Sequence, residues 1–589
     1  MLKKFFISML GTMAGFWISL VLLFVFGAVA VGVAIGSSSP DTAMKVKKNS
    51  ILYFDLSGEV VERYSSQPFL QMIQSYDKET LALNDMVQAL HSAQFDNRIE
   101  AVYLRCGGAY MAPASREEVL EAIASFKFSG KPVIAYGDAY TQGDYMLAAM
   151  ADSIYLNPMG AIDIHGVGGA TPFFTGLLDK LGIKMQIVKV GTFKSAVEPY
   201  ILTSMSGPAR MQMQQYCDSI WAAVAGSIAT SRNIPVDSIY SIAPRFTVTW
   251  PAASFVENGL ATALKYNREV EDILRKISGL KDSDELRLVS PSDYLASPES
   301  FVFGEKGEHI AVYYAVGDIV DSGREGIVGP TVVNDIVKLA DNDDVKGLVL
   351  RVNSPGGSAF ASEQIWEALE YFKSKDKPFF VSMGDYAASG GYYISCGAQQ
   401  IYADRSTLTG SIGVFGMIPD LSGLVTGKLG VNFSTVETNP NAAGISLLEP
   451  MTEQQHAALQ RSVESTYDRF TRRVADGRDM SQDSVKAIAE GRVWIGGRAL
   501  ELGLVDHIGS LDVCVDAMLE QLDMSPAQVV SYPSLEEEIW EKILKNADLA
   551  ANSSLASELD ADAIRALGIV KRLRTMNPVQ ARMEPVEIR

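Results

Sequence analysis

The chain repeats itself, and that constrains its fold more than any other feature. From Gly137 against Gly384, the stretch GDAYTQGDYMLAAMADSIYLN (137–157) lies over GDYAASGGYYISCGAQQIYAD (384–404) at a constant offset of 247 residues. The register continues through Gly166 against Gly413 and Gly176 against Gly423. Upstream, DNRIEAVYLR (96–105) has the character of DDVKGLVLR (343–351), and LYFDLSGEVV (52–61) that of VYYAVGDIVD (312–321). Downstream, ENGLATAL (257–264) matches ELGLVDHI (501–508). A period of about 240 residues is too long for a solenoid and means two related domains. Within each, short apolar runs alternate with amphipathic stretches such as Ser362 to Lys373, which predicts an α/β fold with strands feeding helices packed on a mainly parallel sheet.

The ends of the chain differ from the repeats. After Lys3 and Lys4 no charged residue occurs before Asp41, and residues 5 to 35 are almost wholly apolar. A run of that length predicts one transmembrane helix in 1–36; it exceeds the apolar region of a cleaved signal peptide, although Ala28-Val29-Ala30 imitates a processing site. The lysine pair predicts a cytoplasmic N-terminus, which puts the rest on the periplasmic or outer side of a bacterial inner membrane as a single-pass protein. The expected organisation is anchor 1–36, linker 37–49, first repeat 50–300, second repeat 301–535 and a helical tail 536–589.

The net charge of −19 argues against a nucleic-acid partner bound through a basic surface. Cys106, Cys217, Cys396 and Cys514 form no C-x-x-C pair, and His91, His165, His309, His456 and His507 are scattered, so no metal site and no cofactor is expected.

Chemistry points to two distant segments, GTFKSAVEP around Lys194 and GDYAASGGYYIS around Ser389. Neither has a histidine nearby, and a serine without an imidazole needs another base, for which a lysine in a dry pocket is the usual substitute. Ser389 follows an apolar run and precedes a glycine-led segment that reads as a helix, whose first N–H groups favour developing negative charge. The loop VNSPGGSA (352–359) offers the N–H groups of Gly356 and Gly357 to an oxyanion, although alone such a loop can equally cradle a phosphate or simply turn the chain. Lys194 lies among Phe193, Ala196 and Val197, with Ser195 as a group that could orient the amine. The same residues also fit a plainer account, with Ser389 as a helix cap and Lys194 as a surface lysine paired with Glu198. The repeat weighs against it: Gln142 stands opposite Ser389, and no lysine lies in 439–443 opposite Lys194, so each copy retains half of a pair.

Taken together, GTFKSAVEP, SPGGS, GDYAASGGYY and GRVWIGGRALELGLVDHIG (491–509) resemble the long, duplicated form of the signal peptide peptidase A (protease IV) family, of the Clp-protease/crotonase superfamily. The resemblance covers about 50–530 plus the anchor. It implies a membrane-anchored serine endopeptidase that degrades cleaved signal peptides and other apolar peptides, with Ser389 as nucleophile, Lys194 as general base, Gly390 and the Gly356–Gly357 pair as oxyanion donors, and a ring-like homo-oligomer, a tetramer. Two rival expectations stand beside it: a crotonase-type enzyme acting on an acyl thioester, and a non-catalytic membrane scaffold.

Overall fold

The computed structural model describes residues 46–63, 80–297, 307–323, 325–533 and 579–583. The expected anchor, and most of the expected linker and tail, lie outside these residues. Among the described residues no helix is long and apolar enough to cross a membrane.

The duplication is present strand for strand. One six-stranded sheet runs, edge to edge, Ala263–Leu264, Ser153–Leu156, Val133–Gly137, Ile99–Cys106, Ser50–Leu56 and Leu288–Val289, with every pair parallel. The second repeats the order with His507–Ile508, Gln400–Ala403, Phe379–Ala388, Val345–Ser354, His309–Val316 and Val529–Tyr532, again all parallel. Local irregularities are inherited too: the register slips between Ser50 and Ile51 in one sheet and between His309 and Ile310 in the other. Parallel sheets need cover on both faces, so their strands are apolar throughout. Val345–Ser354 is accordingly buried along almost its whole length. The helix Pro113–Lys127 covers the first sheet through Val119, Ile123 and Phe126, and Ala359–Lys373 covers the second through Ile365, Leu369 and Phe372.

The copies differ where the second strand from each crossover ends. Val133–Gly137 stops after five residues, whereas Phe379–Ala388 continues for ten, pairing with Leu408–Gly410 on the way to Ser389. In the first copy that extension survives as one isolated bridge, Tyr140 to Ile162, the counterpart of Ala387 paired with Thr409.

The copies are also laced together. Lys184–Val190, from the first, leaves its own sheet and pairs antiparallel with Val414–Asp420 of the second along all seven residues. The start of the Pro113–Lys127 helix abuts the second sheet, where Asp385 accepts hydrogen bonds from Ser115 N (2.9 Å) and Ser115 Oγ (2.6 Å). Arg351, fully buried, reaches across to Glu62 and Glu118.

One part of the tail is described, and it is not helical. Val579–Arg582 is a strand inserted between Gly356–Ser358 and Val414–Asp420, antiparallel to both.

Candidate active site

Ser389 sits at the turn between the strand Phe379–Ala388 and the short helix Gly390–Ser395. Its backbone lies at φ 55°, ψ −110°, a strained conformation for a residue with a Cβ. The turn is held by a hydrogen bond from Ser389 N to Gly410 O (2.8 Å). It also requires glycines behind it, because a Cβ on Gly391 would lie 2.7 Å from Ser354 O and one on Gly390 2.8 Å from Ser362 Oγ. The outcome is a serine side chain aimed into the molecule and buried.

Lys194 arrives from the other copy. The crossing strand Lys184–Val190 delivers it, and the following turn is pinned by Phe193 N donating to Glu490 O (2.9 Å). Gly491 and Gly413 close around its stem: a Cβ on Gly491 would come within 2.7 Å of Lys194 Cβ, and one on Gly413 within 3.3 Å of Lys194 Cδ. The amine is buried, with Nζ 2.8 Å from Ser389 Oγ and 3.1 Å from both the carbonyl oxygen and Oγ of Ser411. None of these partners is a carboxylate. Burial alone therefore acts on the amine and holds its pKa well below the ordinary lysine range. A neutral amine has two N–H bonds and one lone pair. The two Ser411 oxygens can take the N–H bonds, which leaves the lone pair for the Ser389 hydroxyl proton.

Three sequence expectations change here. Ser195 does not orient the amine: its hydroxyl accepts from Gln212 Nε2 (3.0 Å), because the turn directs it toward the helix Gly207–Arg232, and Ser411 stands beside the amine instead. Glu198 does not pair with Lys194; its carboxylate accepts from Ser206 N (3.0 Å) and Ser206 Oγ (2.6 Å). Gly356 is not a free oxyanion donor, since its N–H goes to Ser354 Oγ (3.2 Å). Gly357 and Gly390, the other two expected donors, lie close to one another. A Cβ on Gly390 would lie 3.1 Å from Gly357 N, and one on Gly356 2.6 Å from Gly390 N, so both N–H groups border one small space beside Ser389.

The first copy has what a decayed version of this site should have. Gln142, in the place of Ser389, accepts from His165 N and Gly166 N (3.0 Å each) and donates to Gly166 O (2.9 Å). Gly166 is the counterpart of Gly413, which lines Lys194, so a single glutamine side chain occupies the space that serine and lysine share in the second copy. An open cleft of about 690 Å³ remains there, lined by Cys106, Gly107, Gly108, Tyr140 and Thr141 among others. The corresponding cleft of the second copy is filled by Val579–Arg582. Among the described residues no cluster of His, Cys, Asp or Glu could hold a metal ion.

Ser411, Gly413 and Gly491 were not singled out from sequence as site residues. Ser411 falls opposite Ile164 in the repeat, so the alignment carried a polar-for-apolar signal at that position. Gly491 was visible only as the first residue of the GRVWIGG motif.

Residues 125–281 and 371–525 match peptidase family S49, one stretch in each copy. Residues 325–410 match the Clp protease family. Protease 4 of Haemophilus influenzae is 38% identical over 444 residues, which span 73% of this chain and 72% of that protein. Protease 4 of Salmonella typhi is 33% identical over 578 residues, 93% of this chain and 91% of that protein. A chloroplastic serine protease, SPPA of Arabidopsis thaliana, is 26% identical over 476 residues.

Proposed function

The chain belongs to peptidase family S49, as a serine peptidase of the duplicated protease 4 type, and from that premise we propose that it is a membrane-anchored endopeptidase working through Ser389 and Lys194. The observation that carries this reading is the 2.8 Å contact between a buried lysine amine and a buried serine hydroxyl drawn from opposite copies of the repeat.

In the proposed reaction neutral Lys194 takes the Ser389 proton as Oγ attacks a peptide carbonyl. The N–H groups of Gly357 and Gly390 receive the oxyanion, and being backbone they need no reorganisation as charge develops. Lys194 then returns the proton to the leaving amine, and a water molecule, deprotonated by the same amine, releases the acyl group from Oγ. Ser411 accepts the two N–H bonds of the neutral amine, so the lone pair is aimed at Oγ each time the amine takes a proton.

Substrates are extended peptides, since the strands at 356–358 and 414–420 already hold Val579–Arg582 between them as an added strand, and a peptide taking its place would pair in the same way. Cleaved signal peptides and similar apolar peptides fit that requirement. The uncharged N-terminal stretch would keep the site on the outer face of the inner membrane, where such peptides collect. We assign the working form to a ring-like homo-oligomer, a tetramer.

Ser389→Ala and Lys194→Ala should each abolish casein and peptide-ester cleavage without altering the melting temperature by more than a few degrees. Residual turnover by either variant above a few per cent of the parent would remove the dyad from consideration.

A further inference from the structure

The first copy carries two exposed aromatic side chains where the second copy has polar ones. Phe95, 81% exposed, ends the helix Leu83–Phe95, and Phe128, 87% exposed, follows the helix Pro113–Lys127. They are the most exposed aromatic side chains among the described residues. The two helix ends lie side by side: Ser125 Oγ donates to Gln94 Oε1 (3.3 Å), and Lys131 Nζ, just beyond Phe128, donates to Ala93 O (2.8 Å) and Asp96 O (2.7 Å) on either side of Phe95. The second copy has the same two helices at the same lengths, 13 and 15 residues. There Gly329–Asp341 ends on Asp341, and Ala359–Lys373 is followed by Ser374 and Lys375, all exposed. Asp341 accepts from Tyr371 Oη (2.8 Å) and pairs with Lys375 Nζ (2.9 Å). A solvated ion pair thus serves this end of the second copy, so the fold itself does not call for apolar groups here.

The chain enters the first copy at this same end. In a parallel sheet all strands start on one side, and the loops holding Phe95 and Phe128 lead straight into Ile99–Cys106 and Val133–Gly137. The opening strand Ser50–Leu56 begins there too, with Ser50 N donating to Arg98 O (2.9 Å). Residues 47 and 48 are tied to that side through Ser50 Oγ to Lys47 O (2.7 Å) and Arg287 Nη1 to Lys48 O (2.6 Å), and both lysines are exposed. Only residues 36–45 separate Val46 from the uncharged stretch 5–35. Fully extended, they reach at most about 35 Å. Two carboxylates of this end are already paired, Asp96 with Arg98 (2.6 Å) and Asp152 with Lys127 (2.9 Å).

We propose that this end of the first copy docks on an anionic bilayer, with Phe95 and Phe128 entering the headgroup boundary and Lys47, Lys48 and Lys131 meeting anionic headgroups. This rests on the membrane-anchor reading above. Aromatic rings are favoured at that boundary, and lysines beside them are drawn to anionic lipid. At a net charge of −19 the surface as a whole is repelled by such a bilayer, so the position of these lysines selects which end faces it. An anchor alone limits distance and leaves the body free to swivel. Two rings beside the entry point fix its tilt, and with it the height of the Ser389 cleft above the lipid.

The test uses the full chain reconstituted in vesicles of phosphatidylethanolamine and phosphatidylglycerol, made with ordinary or brominated acyl chains, and reads tryptophan fluorescence. Phe95→Trp and Phe128→Trp should each add emission, over that of the parent's six tryptophans, which brominated chains quench about twofold or more. Ser374→Trp, at the second copy's counterpart of Phe128, should add emission that they leave unchanged. Replacing phosphatidylglycerol by phosphatidylcholine should weaken the quenching at 95 and 128; equal quenching there overturns the role given to the lysines. Added emission at 95 and 128 that brominated chains do not quench, whether water-like or blue-shifted against a second copy of the chain, overturns the docking and leaves the anchor reading standing. A parent that alkaline carbonate washes off the vesicles brings down the anchor reading, and the docking with it.

Discussion

Arg351→Met is the sharpest probe of how the two copies are held together. The guanidinium is fully buried, 3.1 Å from Glu62 Oε2, 2.5 Å from Glu118 Oε1 and 3.0 Å from Ser382 Oγ, and both carboxylates belong to the other copy. Removing it strands two buried carboxylates without a countercharge, at about 3–5 kcal/mol. For a unit of roughly 240 residues each kcal/mol moves the midpoint by about 2–4 °C, so we expect a fall of about 6–20 °C in differential scanning calorimetry. The loss should depend on pH. Burial raises Glu118 to about 7, with Arg351 pulling the other way and Glu62 adding to the rise. A carboxyl raised on folding contributes stability that is complete below its ordinary value and lost as pH climbs through about 7. Without Arg351 nothing opposes that rise, so the variant's deficit should be largest above about pH 7.5 and shrink toward about pH 5, where Glu118 can take a proton. Adding Glu62→Gln and Glu118→Gln should restore most of the loss. A deficit under about 1 kcal/mol, or one equal at both pH values, would show that the buried cluster does not hold the copies as described.

Because burial lowers the Lys194 pKa, peptidase activity should rise with pH through a value well below about 10.4 and then level off, and a pH–rate profile with its midpoint near 10.4 would contradict a neutral, buried base. The same depression means the folded state binds fewer protons than the unfolded chain, so Lys194→Met should melt higher than the parent at neutral pH, with the gain fading as pH nears about 10.4. Ser411→Ala removes one of the amine's two anchors and should lower kcat/KM on a peptide ester by about 10–100-fold, equivalent to about 1.4–2.7 kcal/mol, in a protein that still melts normally; unchanged kinetics would exclude Ser411 as a positioning residue. Gly491→Ala places a Cβ 2.8 Å from Lys194 N at a backbone φ of 73°, so the lysine turn must move. Activity should fall by about 100-fold while the melting temperature drops only modestly, and parental turnover would refute the close packing inferred there.

Much of this protein was determined by its sequence alone. The offset between Gly137 and Gly384 dictated two copies of one α/β unit, and the alternation of short apolar runs with amphipathic stretches dictated covered parallel sheets. Both are local, periodic signals that survive without knowledge of the fold. The same alignment marked Ser389 and Lys194 as complementary halves, because a residue present in one copy and missing from the other is visible in one dimension. Tertiary structure decided what depends on distance between separate segments. The pairing of 184–190 with 414–420 brings Lys194 to Ser389 across the boundary, and nothing in either strand's composition names its partner, since backbone hydrogen bonds are the same for every sequence. Ser195 and Ser411 look equally polar in the sequence, yet only the turn geometry gives Ser411 the amine and sends Ser195 to Gln212. Gly356 and Gly357 are adjacent and chemically identical; that Gly356 N–H and not Gly357 N–H is taken by Ser354 Oγ was settled by where that hydroxyl sits. The tail carried no periodic signal at 579–582, because a strand that completes a sheet between two distant edges takes its conformation from those edges and not from itself.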